Sequence, residues 1–191
     1  MNKLSLIGLA IVALALFAGA PAAQAQCSGY YCPYGGCPWY NHIADGGFNY
    51  GCPNWGFSGT AGVTSTNMCG YTGNQVAYIS RNLYATGGSV AQSFTTKSDL
   101  GDVYSFEYNI ETTNMQPGDS VKVYVIDSQT YPPQWYLVST ITTNVSCLKK
   151  THSFTNPGWT GHRMQVRFVG NFGSTSTSAY IDFVAFWQRT A

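Results

Sequence analysis

Acid–base or metal chemistry in this chain would have to come from two glutamates, six aspartates and three histidines. Glu107 and Glu111 stand four residues apart in "EYNIE". On a strand that spacing puts them on one face but about 13 Å apart, too far for a glycoside-hydrolysing carboxylate pair. Asp99, Asp102, Asp119 and Asp127 keep turn-forming company such as "SDLGD" and "PGD", where an aspartate serves its own backbone. His42, His152 and His162 show no HxH or HxxxH spacing, so no zinc site is written along the chain. No glycine-rich loop leads into a helix, which argues against a nucleotide fold. The expectation is a protein without a catalytic site.

Binding chemistry is better represented. Fourteen tyrosines and five tryptophans exceed what a core alone usually requires, and amphipathic aromatic faces suit the C–H side of a sugar ring. "DSQTYPPQWYL" gathers Tyr131, Trp135 and Tyr136 around Pro132 and Pro133, which hold the chain extended. Trp159, in "NPGWTGH", is the second loop aromatic. Polar side chains on alternating strand positions offer a floor: Glu107, Asn109, Lys122, Tyr124, Arg163, Gln165 and Arg167. If the strand of Lys122 and Tyr124 shares a sheet with that of Arg163–Arg167, an aromatic lies beside guanidiniums, which suits a neutral or weakly acidic glycan.

The ends and the composition set the compartment. Residues 1–25 read as a cleavable signal peptide, with Lys3 ahead of an apolar run and "AQA" as the cut site. The mature protein is therefore expected to be secreted or at the cell surface, without membrane insertion. Nine basic residues against eight acidic ones make a poor partner for nucleic acid, whose binding rests on phosphate neutralisation. Cys27, Cys32 and Cys37 recur every five residues, and Cys52, Cys69 and Cys147 are spread further on. In an exported protein all six are expected in disulfides, with the pairing left open. Residues 26–41 then form a Cys/Tyr/Gly-rich tail, a stapled irregular cap.

Residues 42–191 read as one all-β domain. Short runs rich in Val, Ile, Thr, Tyr and Phe alternate with Gly, Asn, Asp and Pro clusters, giving nine expected strands between Thr60 and Trp187. In "VYSFEYNI", Tyr104, Phe106, Tyr108 and Ile110 fall on one face; in "RMQVRFV", Met164, Val166 and Phe168 do the same. Strands with one dry face pair into a two-sheet sandwich, of jelly-roll type for this strand number. The last strand, "AYIDFVAFW", is apolar on both faces, so it should lie centrally or under the tail.

Three stretches carry a family likeness. "ADGGFNYGCPNW" resembles the opening signature of family 4-like carbohydrate-binding modules and their galactose-binding-like relatives. "SVAQSFTTKSDLGDVYSFEYNI" resembles their glutamine-containing strand and the Tyr-x-Phe strand after it, and "AYIDFVAF" is similar to their closing strand. The resemblance implies a jelly-roll sandwich, a structural role for Gln92, and one structural calcium near the first and last strands, at Asp45 and Asp182. Calcium suits such hard oxygen ligands. Asn49 and Phe183 stand where the family usually has a Glu and a second Asp, so two negative charges are lost. Phe48 and Trp55 are expected as core anchors, and Gly46 and Gly47 as the residues that permit a tight start.

The function that follows is a secreted, non-catalytic glycan-binding module, its partner a glycan or polysaccharide. The alternative is an extracellular structural or adhesive protein that forms a homo-oligomer or matrix, the sandwich as scaffold and the tail as joint.

Overall fold

The computed structural model describes residues 29–30, 39–49 and 54–190. The expected signal peptide, residues 1–25, and Cys27, Cys32, Cys37 and Cys52 lie outside the described residues. Within them the strands are β1 (Gly29–Tyr30), β2 (Trp39–Asn41), β3 (Trp55–Gly59), β4 (Ala61–Met68), β5 (Tyr71–Ser80), β6 (Gly87–Thr95), β7 (Val103–Thr113), β8 (Ser120–Asp127), β9 (Gln134–Ile141), β10 (Val145–Thr155), β11 (Arg163–Asn171) and β12 (Ser178–Arg189). No helix occurs among the described residues, so none there is long and apolar enough to cross a membrane.

Period-two patterning dictates two antiparallel sheets packed face to face. One has five strands in the order β3-β6-β11-β8-β9. The other has seven and is organised around β12: β7 lies along one side, with β10 beyond it. On the other side β5 pairs with Ser178–Ile181 and β2 with Trp187–Arg189. The closing strand is therefore central, as its doubly apolar pattern requires, and part of the tail segment joins the sheet as β2.

The alternation seen in the sequence is the core. Tyr104, Phe106, Tyr108 and Ile110 of β7 are inaccessible to solvent, as are Val121, Val123 and Val125 of β8 and Val166 and Phe168 of β11. Phe168 meets Tyr108 edge-on at 5.2 Å between ring centroids and Phe106 at 6.2 Å, which ties the two sheets together. Each such side chain contributes about 1.5–3 kcal/mol by leaving water.

The opening stretch is architecture. Phe48 and Trp55 are buried and pack at 4.8 Å. Gln92 clamps the chain at Ala44, donating to its carbonyl at 2.8 Å and accepting from its N–H at 2.7 Å. Trp55 Nε1 donates to the carbonyls of Ala44 and Asp45, each at 3.1 Å. A Cβ on Gly46 would stand 1.8 Å from the Val184 carbonyl oxygen, so only glycine lets the opening turn reach β12. A disulfide joins Cys69, in the turn after β4, to Cys147 in β10.

Candidate functional site

Pairing in the five-stranded sheet decides which polar and aromatic residues share its outer face. Arg167 of β11 lies directly opposite Tyr124 of β8, and Gln165 opposite Ser93 of β6. Trp135 and Leu137 of β9 lie opposite Ile126 and Tyr124. The expected neighbourhood of an aromatic with guanidiniums is thus present. Tyr124 meets Trp135 edge-on at 5.4 Å, and the Arg167 guanidinium carbon stands 5.7 Å from the Trp135 ring centre. Trp135 is 52 % exposed although β9 holds its backbone in place, so a flat apolar surface faces water.

From Arg167 the face continues towards β3. Arg167 Nη2 donates to Ser89 Oγ at 3.1 Å, Ser89 Oγ shares a hydrogen bond with Ser58 Oγ at 2.7 Å, and Gln165 Nε2 donates to Ser93 Oγ at 3.1 Å. Here the surface dips into a cleft of about 440 Å³, lined by Ser58, Tyr84, Gly87, Gly88, Arg167 and Val169. Arg163 and Lys122 project from the same sheet and are exposed. Ser58, Ser89 and Tyr84 went unnoticed in the sequence. Serines in a strand and a tyrosine in "RNLYATGG" carry no binding signal until the strands are paired.

Other expected site residues lie elsewhere. Glu107 and Asn109 sit on β7, in the seven-stranded sheet. There they line a separate cleft of about 420 Å³ with Lys149, Phe183 and Trp187, and Glu107 forms an ion pair with Lys149 at 3.4 Å. One strand's alternation tells inside from outside but does not say which sheet the strand joins. Trp159 is a correction: it is 2 % exposed and packs on Phe154, Tyr136 and Tyr104 at 4.9, 5.2 and 5.6 Å. The Asp102 carboxylate accepts hydrogen bonds from the backbone N–H groups of Gly158 and Trp159 and folds that loop inward. Tyr136 is half-buried on the edge of Trp159 and donates its hydroxyl to Gln134 at 2.6 Å, while Tyr131 is fully exposed in the β8–β9 turn. The sequence also concealed a carboxylate–imidazole pair, the buried Asp127 through Oδ2 with the half-buried His162 through Nδ1 at 2.9 Å.

Asp45 and Asp182 lie where the opening turn reaches β12, near enough for the charge of Asp45 to be felt at Asp182. Asp45 Oδ1 accepts from the Asn49 N–H at 2.8 Å, and Asp182 Oδ2 accepts from the Asn74 amide at 2.5 Å. Asp182 Oδ1 is buried and accepts no hydrogen bond. Burial first, with the negative charge of Asp45 adding to it, pushes the Asp182 carboxyl up to about 6. A buried carboxylate with one unsatisfied oxygen beside a second carboxylate fits a hard cation. Among the described residues no cluster of three or more His, Cys, Asp or Glu side chains reinforces it, so backbone and amide oxygens would have to complete the shell.

No protein-family model matches the sequence, and neither does any curated protein. Solved structures do match. The carbohydrate-binding module TmCBM61 in complex with β-1,4-galactotriose superposes with a TM-score of 0.56 at 16 % identity, over 78 % of this chain and 99 % of that one. The Stig cyclase Fisc from Fischerella sp. TAU, in complex with (3Z)-3-(1-methyl-2-pyrrolidinylidene)-3H-indole, gives 0.54 at 14 %, over 79 % and 98 %. The xylan-binding domain from CBM 22 gives 0.52 at 16 %, over 85 % and 96 %. The chain has the jelly-roll β-sandwich fold found in carbohydrate-binding modules.

Proposed function

We propose that this protein is a secreted, non-catalytic glycan-binding module whose ligand lies along the outer face of the five-stranded sheet. The observation that carries the reading is the cluster of Trp135, Tyr124 and Arg167. A half-exposed indole offers a stacking surface, held edge-on by a tyrosine and flanked by a guanidinium. The Ser58 hydroxyl and the Gln165 amide continue the face as hydrogen-bonding partners for ring hydroxyls, with the buried Ser89 bracing Ser58 and Arg167 beneath them. An apolar surface with a few convergent polar groups is the usual make-up of a ligand site. Carbohydrate-binding modules among the similar structures add weight to this reading, and the cyclase among them is a reminder that the fold alone does not choose a function. Export accords with the Cys69–Cys147 disulfide, which persists in an oxidising compartment.

Calcium is part of the proposal as a structural ion. Asp182 and Asp45 would hold it, and it would supply positive charge to the unsatisfied Asp182 oxygen and brace the opening turn against β12. It takes no part in contacting the glycan.

A polysaccharide binding screen of the oxidised protein, run with calcium and with EDTA, tests the reading. The expected result is binding in both conditions that falls at least tenfold on Trp135→Ala. Absence of binding to any glycan in both conditions would turn the choice to the structural or adhesive alternative.

A further inference from the structure

Charge is unevenly distributed over this otherwise balanced chain. Lys122, Arg163 and Arg167 share the outer face of the five-stranded sheet. None of the eight carboxylates does. Glu107, Glu111 and Asp182 belong to the seven-stranded sheet, and Asp45 to the opening turn. Asp99 and Asp102 lie in the β6–β7 connection. Asp119 is buried between β7 and β8 on the N–H groups of Gln116 and Gly173, and Asp127 is buried on His162. A sheet face carrying three cations and no acid in a protein of net charge +1 is complementary to an anion.

Arg167 makes the complementarity specific. Its guanidinium is held on one side by Ser89 and on the other by the Trp135 face. It lines the 440 Å³ cleft. Among the described residues it has no carboxylate partner, and its Nε is buried without an acceptor. A pre-oriented planar guanidinium that lines a cleft and has no carboxylate partner is the complement of a planar carboxylate, which guanidiniums bind through two parallel hydrogen bonds. We infer that the cleft is a carboxylate subsite, and that the ligand is an acidic polysaccharide whose uronate group sits on Arg167 while a neighbouring ring stacks on Trp135. The inference rests on the glycan-binding reading and narrows it from the neutral or weakly acidic class to a uronate-containing one.

Calorimetric titration of the full chain with polygalacturonate, methyl-esterified polygalacturonate, neutral β-1,4-galactan and dextran sulfate, at low and at physiological salt, tests it. Polygalacturonate is expected to bind at least tenfold more tightly than its methyl ester at both salt concentrations. Arg167→Lys, which keeps the charge and removes the two-pronged geometry, should bring the acid form down to the affinity of the ester. A matching thermal melt shows that this variant remains folded. Trp135→Ala should weaken acid and ester alike. Equal binding of acid and ester, or an unchanged Arg167→Lys, overturns the uronate subsite. So does binding to dextran sulfate that equals that to polygalacturonate and fades with salt, since that marks charge attraction alone. Binding to galactan without preference for the acid leaves the stacking site standing and removes the subsite. Failure of every glycan to bind removes both.

Discussion

Two tryptophans that look alike in the sequence have opposite roles, and the residue scale shows why. Trp135 and Trp159 both follow proline-containing loops, yet one is half-exposed and the other buried. The difference is made by Asp102, distant in sequence, whose carboxylate captures the N–H groups of Gly158 and Trp159 and draws the indole under Tyr136. Truncating them should therefore separate binding from stability. Trp135→Ala should change the denaturant-unfolding free energy by less than about 1 kcal/mol while abolishing most glycan affinity. Trp159→Ala should cost about 3–5 kcal/mol, because it empties a filled core site, and should leave affinity intact wherever the protein is still folded. If the two variants exchanged these signatures, the assignment of the stacking surface would be wrong. Buried anchors were easier to read. Phe48, Trp55 and Gln92 stand out because their spacing recurs in a familiar pattern, and each does what that pattern implies. Ser58, Ser89 and Tyr84 have no pattern to betray them.

At the scale of elements, strands were more legible than their partnerships. Nine expected strands coincide with β4 to β12, since period two and β-branched composition persist over eight or more residues in each. The short β1, β2 and β3 were missed because two or three residues, or a glycine-rich five, carry no period. Sheet membership was not legible at all. Placing Glu107 and Arg167 on one floor failed because β7 and β11 pair with different neighbours, a matter settled by long-range register. The contact between the opening turn and β12 is the element-scale feature most open to test. Val184 N–H donates to the Gly46 carbonyl at 3.0 Å, and Val184 oxygen stands where a Cβ on Gly46 would be. Gly46→Ala must push the turn away from β12, separating Asp45 from Asp182. The expected loss is at least about 2 kcal/mol in denaturant unfolding, with any calcium-induced rise in melting temperature lost as well. Gly118→Ala also replaces a glycine, but one with positive φ and open space around it. It should cost only about 1 kcal/mol from backbone strain and preserve the calcium response.

For the whole molecule, a carboxylate and two histidines with opposed shifts contribute to how stability depends on pH. Asp182 has its pKa raised to about 6 by burial and by Asp45. A raised carboxylate favours folding at low pH, where it is protonated, and that contribution disappears as pH climbs from about 4 through 6. His42 has its pKa lowered to about 4 by burial, with Lys97 adding to it, although its Nε2 meets Gln188 Oε1 at 2.8 Å. A lowered imidazole favours folding above its ordinary 6.5, and that contribution is lost as pH falls towards 4. His152, also lowered by burial and by Lys150, acts in the same direction as His42. In EDTA the Asp182 term should offset part of the histidine loss, so that the wild-type unfolding free energy falls only gently from pH 7 to 4.5. Asp182→Asn removes one side of the balance. The variant should be more stable than wild type at pH 7, by up to about 3 kcal/mol at about 1.4 kcal/mol per pKa unit, and should lose stability steadily as pH falls below 6.5. Calcium at pH 7 should stabilise the wild type by satisfying the ionised Asp182 and leave Asp182→Asn unmoved. Parallel pH curves for the two proteins would remove Asp182 as the titrating group. A wild type indifferent to calcium at pH 7 would show that the turn and the closing strand hold together without an ion, through the Gly46–Val184 contact and the Gln92 clamp alone.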